Sequence, residues 1–239
     1  MSIADNIAFV EEQVATACRR SDRPRTSVQL MAVSKTHPPE SILEAHACGL
    51  RLFGENRVQE YAGKHKVLLD ADIFATQRST SFHCIGPLQS NKVSRAVNLF
   101  DAVDTVDSLR LAERLQQAAS TANKRLPILI EIKISAEVSK HGLTPDTSDF
   151  KQLLERLPEF DHLDPRGLMT VPPYADDPEQ ARPYFRQMRE LRDSLARQYP
   201  SLALHELSMG MSHDFPVAIE EGATIIRVGT AIFGARPSI

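Results

Sequence analysis

Hydrophobic and polar positions follow a regular rhythm along this chain: a short apolar run, a polar or Gly/Pro break, then apolar residues at helical spacing. Ile3, Ile7, Val10, Val14 and Cys18 align on one face of an opening helix. Val28 to Val33 reads as a strand, and Pro38 and Pro39 open the next helix, since proline is tolerated in a first turn. Gly49 closes that helix as a C′ residue. Arg51 to Phe53 is a second run, followed by Gly54 and a polar helix through Lys66.

The alternation continues to the last residues. Ser81 to Ile85, Phe100 to Val103 and Leu126 to Ile134 are the next strands, with helices from about Ser90, through Leu111 to Ala122, and around Phe150 to Leu157. A sixth strand ends near Met169, and a helix after Asp177 aligns Tyr184, Met188, Leu191 and Leu195, kinked or delayed by Pro183. Leu202 to Leu207 is a seventh strand, Phe215 to Glu220 a helix, and Thr224 to Val228 an eighth strand. Eight strands alternating with helices in 239 residues predict an α/β chain, a single (β/α)8 TIM barrel with an extra N-terminal helix. The rival is an open doubly wound sheet, but no GxGxxG turn follows the first strand.

Composition narrows the class. The charged fraction and a net charge of −3 fit an ordinary globular chain and give no general basic surface for nucleic acid. No apolar run nears the roughly 20 residues of a membrane span, and the acidic start does not resemble a signal peptide. We therefore expect a cytoplasmic protein. Cys18, Cys48 and Cys84 are widely spaced, which suits neither a disulfide framework nor a thiolate metal site.

Candidate chemistry gathers where a barrel keeps it, at the C-terminal strand ends. Lys35 follows the first strand on the face of Met31 and Val33. Burial would favour its neutral amine, able to form a Schiff base, although its head could also reach water. Arg227 shares a face with Ile225 and Gly229, and its guanidinium needs an acceptor inside the barrel. Gly229 and Thr230 open a short helix whose N–H groups and dipole could receive an anion, and Ser208 ends the seventh strand before a second such turn. Both turns could equally be ordinary caps. Taken with Lys35, they point to a phosphorylated ligand beside an amine. Asn56 stands at the second strand's end, facing the mouth or capping the next helix. His83 lies within an apolar strand, where a satisfied structural histidine is the simpler reading. Glu131 and Lys133 share one face of the fifth strand and could satisfy each other as an ion pair.

The strings AVSKTHPPE, LFGENRVQEY, FHCIGPLQSNK, SKHGL, RGLMTVPPY, LSMGMSHDF and IRVGTAIFG, in this order, closely resemble the pyridoxal-phosphate homeostasis protein family. That family is similar to the N-terminal barrel of alanine racemase, and the resemblance runs from about residue 5 to residue 236. It implies that Lys35 holds pyridoxal 5′-phosphate (PLP) as an internal aldimine, with phosphate contacts from Ser208, Gly229 and Thr230. By the same similarity, Arg227 faces the pyridine nitrogen and keeps it unprotonated, a weaker electron sink than a carboxylate partner gives, with Asn56 and His83 as pocket neighbours. Lys133 stands where many family members have Asn.

The family resemblance implies a carrier that holds and delivers the cofactor, with PLP-dependent apoenzymes as candidate recipients, and the single barrel domain leads us to expect a monomer. A racemase needs acid/base groups on both faces of the substrate carbon. In alanine racemase the second base comes from a β-domain, and this sequence ends five residues after Gly234. A Schiff-base aldolase acting on a sugar phosphate satisfies the same physics, and only the family strings separate it.

Overall fold

The computed structural model describes residues 2–74, 80–134 and 141–235. Eight parallel strands close into a barrel in sequence order: β1 Gln29–Val33, β2 Leu52–Glu55, β3 Ser81–Cys84, β4 Ala102–Val106, β5 Leu126–Glu131, β6 Leu163–Met169, β7 Glu206–Met211 and β8 Ile225–Val228. Pairing of β1 with β8, Met31 opposite Arg227, completes the ring and excludes the open sheet. Around it lie α1 Ile3–Arg20, α2 Pro39–Ala47, α3 Val58–Asp70, α4 Val93–Leu99, α5 Leu109–Thr121, α6 Ser148–Arg156, α7 Arg182–Gln198, α8 Phe215–Glu220 and the single turn α9 Thr230–Phe233.

Strand alternation divides the barrel residues into two layers. Leu30, Ala32, Phe53, Ile128, Ile130 and Ile226 point outward and pack under the helices. Met31, Leu129, Met169 and Ile225 point inward and form a small cluster with Leu52 and Ile85 against it. Each fully buried side chain of this size contributes about 2 kcal/mol, so the larger outer layer dominates stability. The small inner cluster leaves room above and below it for polar groups.

The extra helix braces the end of the chain that carries the β8 turn. Ser2 and Asp5 form a capping box that starts α1, which buries Ile7, Val10, Val14, Ala17 and Cys18. It packs against α8, α9 and α2, and Asn6 Nδ2 donates to the Ile232 carbonyl at 2.8 Å. Among the described residues no helix is long and apolar enough to cross a membrane.

Several boundaries shift from the sequence reading, β5 ending at Glu131 rather than Ile134 among them, and three elements show the physical reasons. β4 runs on to Val106 because Asp104 and Thr105, polar yet buried, continue the strand past its apolar start. β7 begins at Glu206 rather than Leu202; Leu202 and Leu204 are buried from the preceding loop, where Leu204 N–H bonds back to Leu202. α7 is delayed to Arg182, as Pro183 in its first turn predicts, after a short 3-10 turn at Pro178–Ala181, and it buries Phe185 instead of Tyr184.

Candidate functional site

A cavity of about 680 Å³ opens where the C-terminal strand ends converge, and Lys35, Asn56, Arg227, Gly229 and Thr230 all line it. Lys35 reaches it because alternation along β1 carries Met31 and Val33 inward and the side chain at 35 follows them. The lysine is half-buried. Asn56 stands on the cavity wall and does not cap α3; that helix starts at Val58 from Arg57, without a side-chain cap.

Arg227 forms the floor. It is only 5% exposed, and its guanidinium donates from Nη1 to Ser208 Oγ at 2.8 Å and from Nη2 to the Thr170 carbonyl at 2.7 Å. Burial works against its charge, and the carboxylates of Asp104, Asp214 and Glu131 work for it. The arginine is thus held by β6 and β7 while it stays at the base of the cavity.

Two sequence expectations need correction. Ser208 does not line the cavity: it is completely buried in the middle of β7, and its hydroxyl serves Arg227. β7 continues to Met211, so the rim hydroxyl is Ser212. Ser212 Oγ accepts from both Gly229 N–H and Ala231 N–H, each at 3.3 Å, and so ties the β7 turn to the β8 turn. Asp214 fixes the same bend by accepting the Met211 N–H at 2.6 Å. The signal in the sequence was Gly210, whose φ of +90° marks the bend just before Met211.

The second is the pocket place that the resemblance gave His83; the simpler sequence reading of it, a satisfied structural histidine, holds. His83 faces the barrel interior below the cavity, where Nδ1 lies 3.0 Å from Asp104 Oδ1. Burial opposes its charged form most strongly, but the Asp104 carboxylate, with Glu206 and Asp101 behind it, raises its pKa on balance. This is the satisfied structural histidine; Ile85, two residues on, occupies the cavity wall instead.

The β8 turn is narrow and polar. A Cβ at Gly229 would meet the Val33 carbonyl at 3.3 Å, so glycine lets the turn close against β1. α9 is a single turn, so what it offers an anion is its individual N–H groups and the Thr230 hydroxyl. On the rim formed by the loops after β6 and β7, Tyr174 and His213 pack with ring centroids 5.6 Å apart, a contact nothing in the sequence announced. Ser139 and Lys140 of the SKHGL string lie outside the described residues.

Glu131 and Lys133 both line the cavity, and no ion pair joins them among the described residues. Burial pushes the Glu131 carboxyl up to about 7, with Asp107 adding to the shift and Arg227 opposing it. Below the ordinary glutamate value of 4.5 both folded and unfolded chains hold this proton. Between 4.5 and about 7 the folded chain keeps it and the unfolded chain loses it, so rising pH lowers stability. The full effect is at most about 3 kcal/mol. Glu131→Gln is expected to flatten this slope and to be the more stable protein at pH 8, read by urea unfolding at pH 5 and pH 8. Parallel pH profiles for the two proteins would contradict it.

Comparison with known proteins places these features in context. The model of the alanine racemase N-terminal domain matches residues 6–237. A pyridoxal phosphate homeostasis protein of Aquifex aeolicus is 44% identical over 236 residues, covering 99% of each chain. That of Escherichia coli K12 is 39% identical over 236 residues, covering 98% of this chain and 97% of its own. Among solved structures, PipY of Synechococcus elongatus PCC7942, determined with PLP bound, superposes with a TM-score of 0.84 at 40% identity, covering 98% of this chain and all of that one. Alanine racemase of Clostridium difficile 630 shares the fold, with a TM-score of 0.69 at 14% identity over 98% of this chain and 57% of its own.

Proposed function

We propose, from the premise that this chain belongs to the alanine racemase N-terminal-domain family and within it to the pyridoxal phosphate homeostasis proteins, that it binds PLP reversibly and serves intracellular vitamin B6 homeostasis. One observation carries the reading: the Lys35 amine, the Ser212-braced turn at Gly229 to Ala231 and the buried Arg227 guanidinium meet in a single cavity. When bound, the cofactor supplies an aldehyde for a lysine amine and a phosphate for a polar turn.

The residues present fit such a ligand. Lys35 is the amine for the aldehyde. The Ser212 and Thr230 hydroxyls are donors for the phosphate, beside turn amides that converge on Ser212 Oγ and next to a glycine that admits close approach. Arg227, fixed by two acceptors, presents its charge to the ring from the floor. Val33 and Ile85 give apolar wall on which a flat ring can lie. Ser208 acts through Arg227. We read the protein further as a cytoplasmic monomer whose recipients are PLP-dependent apoenzymes.

The test is an absorption spectrum with stoichiometric PLP, then borohydride reduction and peptide mapping. A visible band that collapses on reduction, with the label on the Lys35 peptide, is expected. A protein that stays colourless would overturn the reading and favour the aldolase. Incubation with L-alanine in deuterium oxide separates carrier from racemase: no exchange at the α-carbon is expected on the timescale of a true racemase.

A further inference from the structure

We infer that Lys64, together with Glu55 and Glu60, positions Lys35: a buried ionic clamp grips the two residues that flank the reactive amine. The inference rests on the proposed role of Lys35. The alternation that turns Lys35 to the cavity turns Ser34 the other way, into the layer between the barrel and α3. There its hydroxyl donates to Glu55 Oε1 at 2.7 Å.

Lys64 Nζ is the centre of the clamp. It donates to Glu55 Oε1 at 2.8 Å and to the Ser34 carbonyl at 2.9 Å, and it forms an ion pair with Glu60 Oε1 at 2.8 Å. Glu60 Oε1 also accepts the Thr36 N–H at 2.6 Å. One cation thus ties the backbone before Lys35 directly and the backbone after it through a single carboxylate.

Two features show that this arrangement does more than fill space. Thr36 has φ +67°, a left-handed conformation that branched side chains avoid, so the chain after Lys35 needs an external hold. Glu55 is wholly buried, and its Oε2 has no hydrogen-bond partner among the described residues. A buried ion pair with an orphaned oxygen is a poor way to gain stability, since apolar residues would serve better. What it supplies is a fixed geometry for Ser34 and Thr36.

The test compares two ligands in Lys64→Met and Glu60→Ala. PLP binding draws on the Lys35 amine; pyridoxamine 5′-phosphate has the same ring and phosphate but no aldehyde. Each variant is expected to weaken PLP about tenfold while leaving pyridoxamine 5′-phosphate within about twofold, as loss of amine placement alone requires. Exchange of the Thr36 amide with deuterium, measured without ligand, is expected to quicken in both. Glu60→Ala removes a carboxylate with a quarter of its side chain exposed and leaves the Glu55–Lys64 pair, so it remains informative if Lys64→Met folds poorly. Equal weakening of the two ligands, or PLP binding unchanged in Glu60→Ala, would overturn the clamp. A wild-type chain with no reducible bond at Lys35 would overturn the proposed function instead.

Discussion

Lys35→Ala is expected to abolish the borohydride-reducible bond to PLP and to weaken binding by at least about a hundredfold, or roughly 3 kcal/mol. The melting temperature should stay within a few degrees of wild type. The two halves of this expectation have separate causes. Lys35 lines the cavity and is half-buried, so its removal exposes no core and opens no hole in either layer of the barrel. The backbone around it stays fixed, because Ser34 and Thr36 are held through Glu55, Lys64 and Glu60 and none of these bonds involves the Lys35 side chain. The donors proposed for the phosphate lie on other strands and also survive. The variant should therefore bind weakly and without a covalent link. Lys133 supplies an internal control, since it brings a second amine to the same cavity from the fifth strand. Peptide mapping that finds the reduced label on Lys133 in Lys35→Ala, at wild-type occupancy, would show that Lys35 is not the required amine.

Much of this geometry is readable in the sequence, and most of what is not shares a cause. Period-two alternation was enough to put Met31, Val33 and Lys35 on one face and Arg227 with Ile225 on another inward face. Topology then brought both faces to one mouth, because a closed barrel must gather its C-terminal strand ends. The errors arose where polar residues are buried. Asp104 and Thr105 hid half of β4, and Ser208 was mistaken for the end of β7 when it is the strand's interior partner for Arg227. A hydroxyl at a strand end and one inside a strand look alike in sequence; only the length of β7 separates Ser208 from Ser212. His83 lies one inward position below the rim, so its structural reading holds and the pocket place that the resemblance implied does not. The Lys64 clamp was invisible for a different reason. Only Glu60 is near in sequence, four residues away on α3; Glu55 and Ser34 are 9 and 30 residues away on separate elements, and only packing of α3 on the barrel brings them to Lys64.

Arg227→Met tests the other end of the cavity and should have the largest effect on stability. The substitution keeps most of the volume and removes the charge, so packing loss alone would be modest. It also strands what the guanidinium satisfied. Ser208 Oγ and the Thr170 carbonyl lose their donor, and the carboxylates of Glu131, Asp104 and Asp214 lose the buried cation that stands among them. Breaking one side of such a buried arrangement costs about 3–5 kcal/mol. The pH dependence distinguishes this from a packing defect. Without Arg227 the Glu131 carboxyl, already raised to about 7, should rise further, and its proton should be held more tightly by the folded chain. Acid then favours the variant: its deficit relative to wild type should be largest at pH 8 and shrink toward pH 5, as the stranded carboxylates become neutral. Urea unfolding at the two pH values measures this directly, and a deficit independent of pH would mean that volume, not charge, is what Arg227 contributes. The same variant reports on the ligand. If the guanidinium faces the ring nitrogen of bound PLP, its loss should move the visible band, because the field at that nitrogen changes while Lys35 is untouched. A variant that binds PLP with an unmoved band would place Arg227 in the scaffold of the cavity rather than against the cofactor.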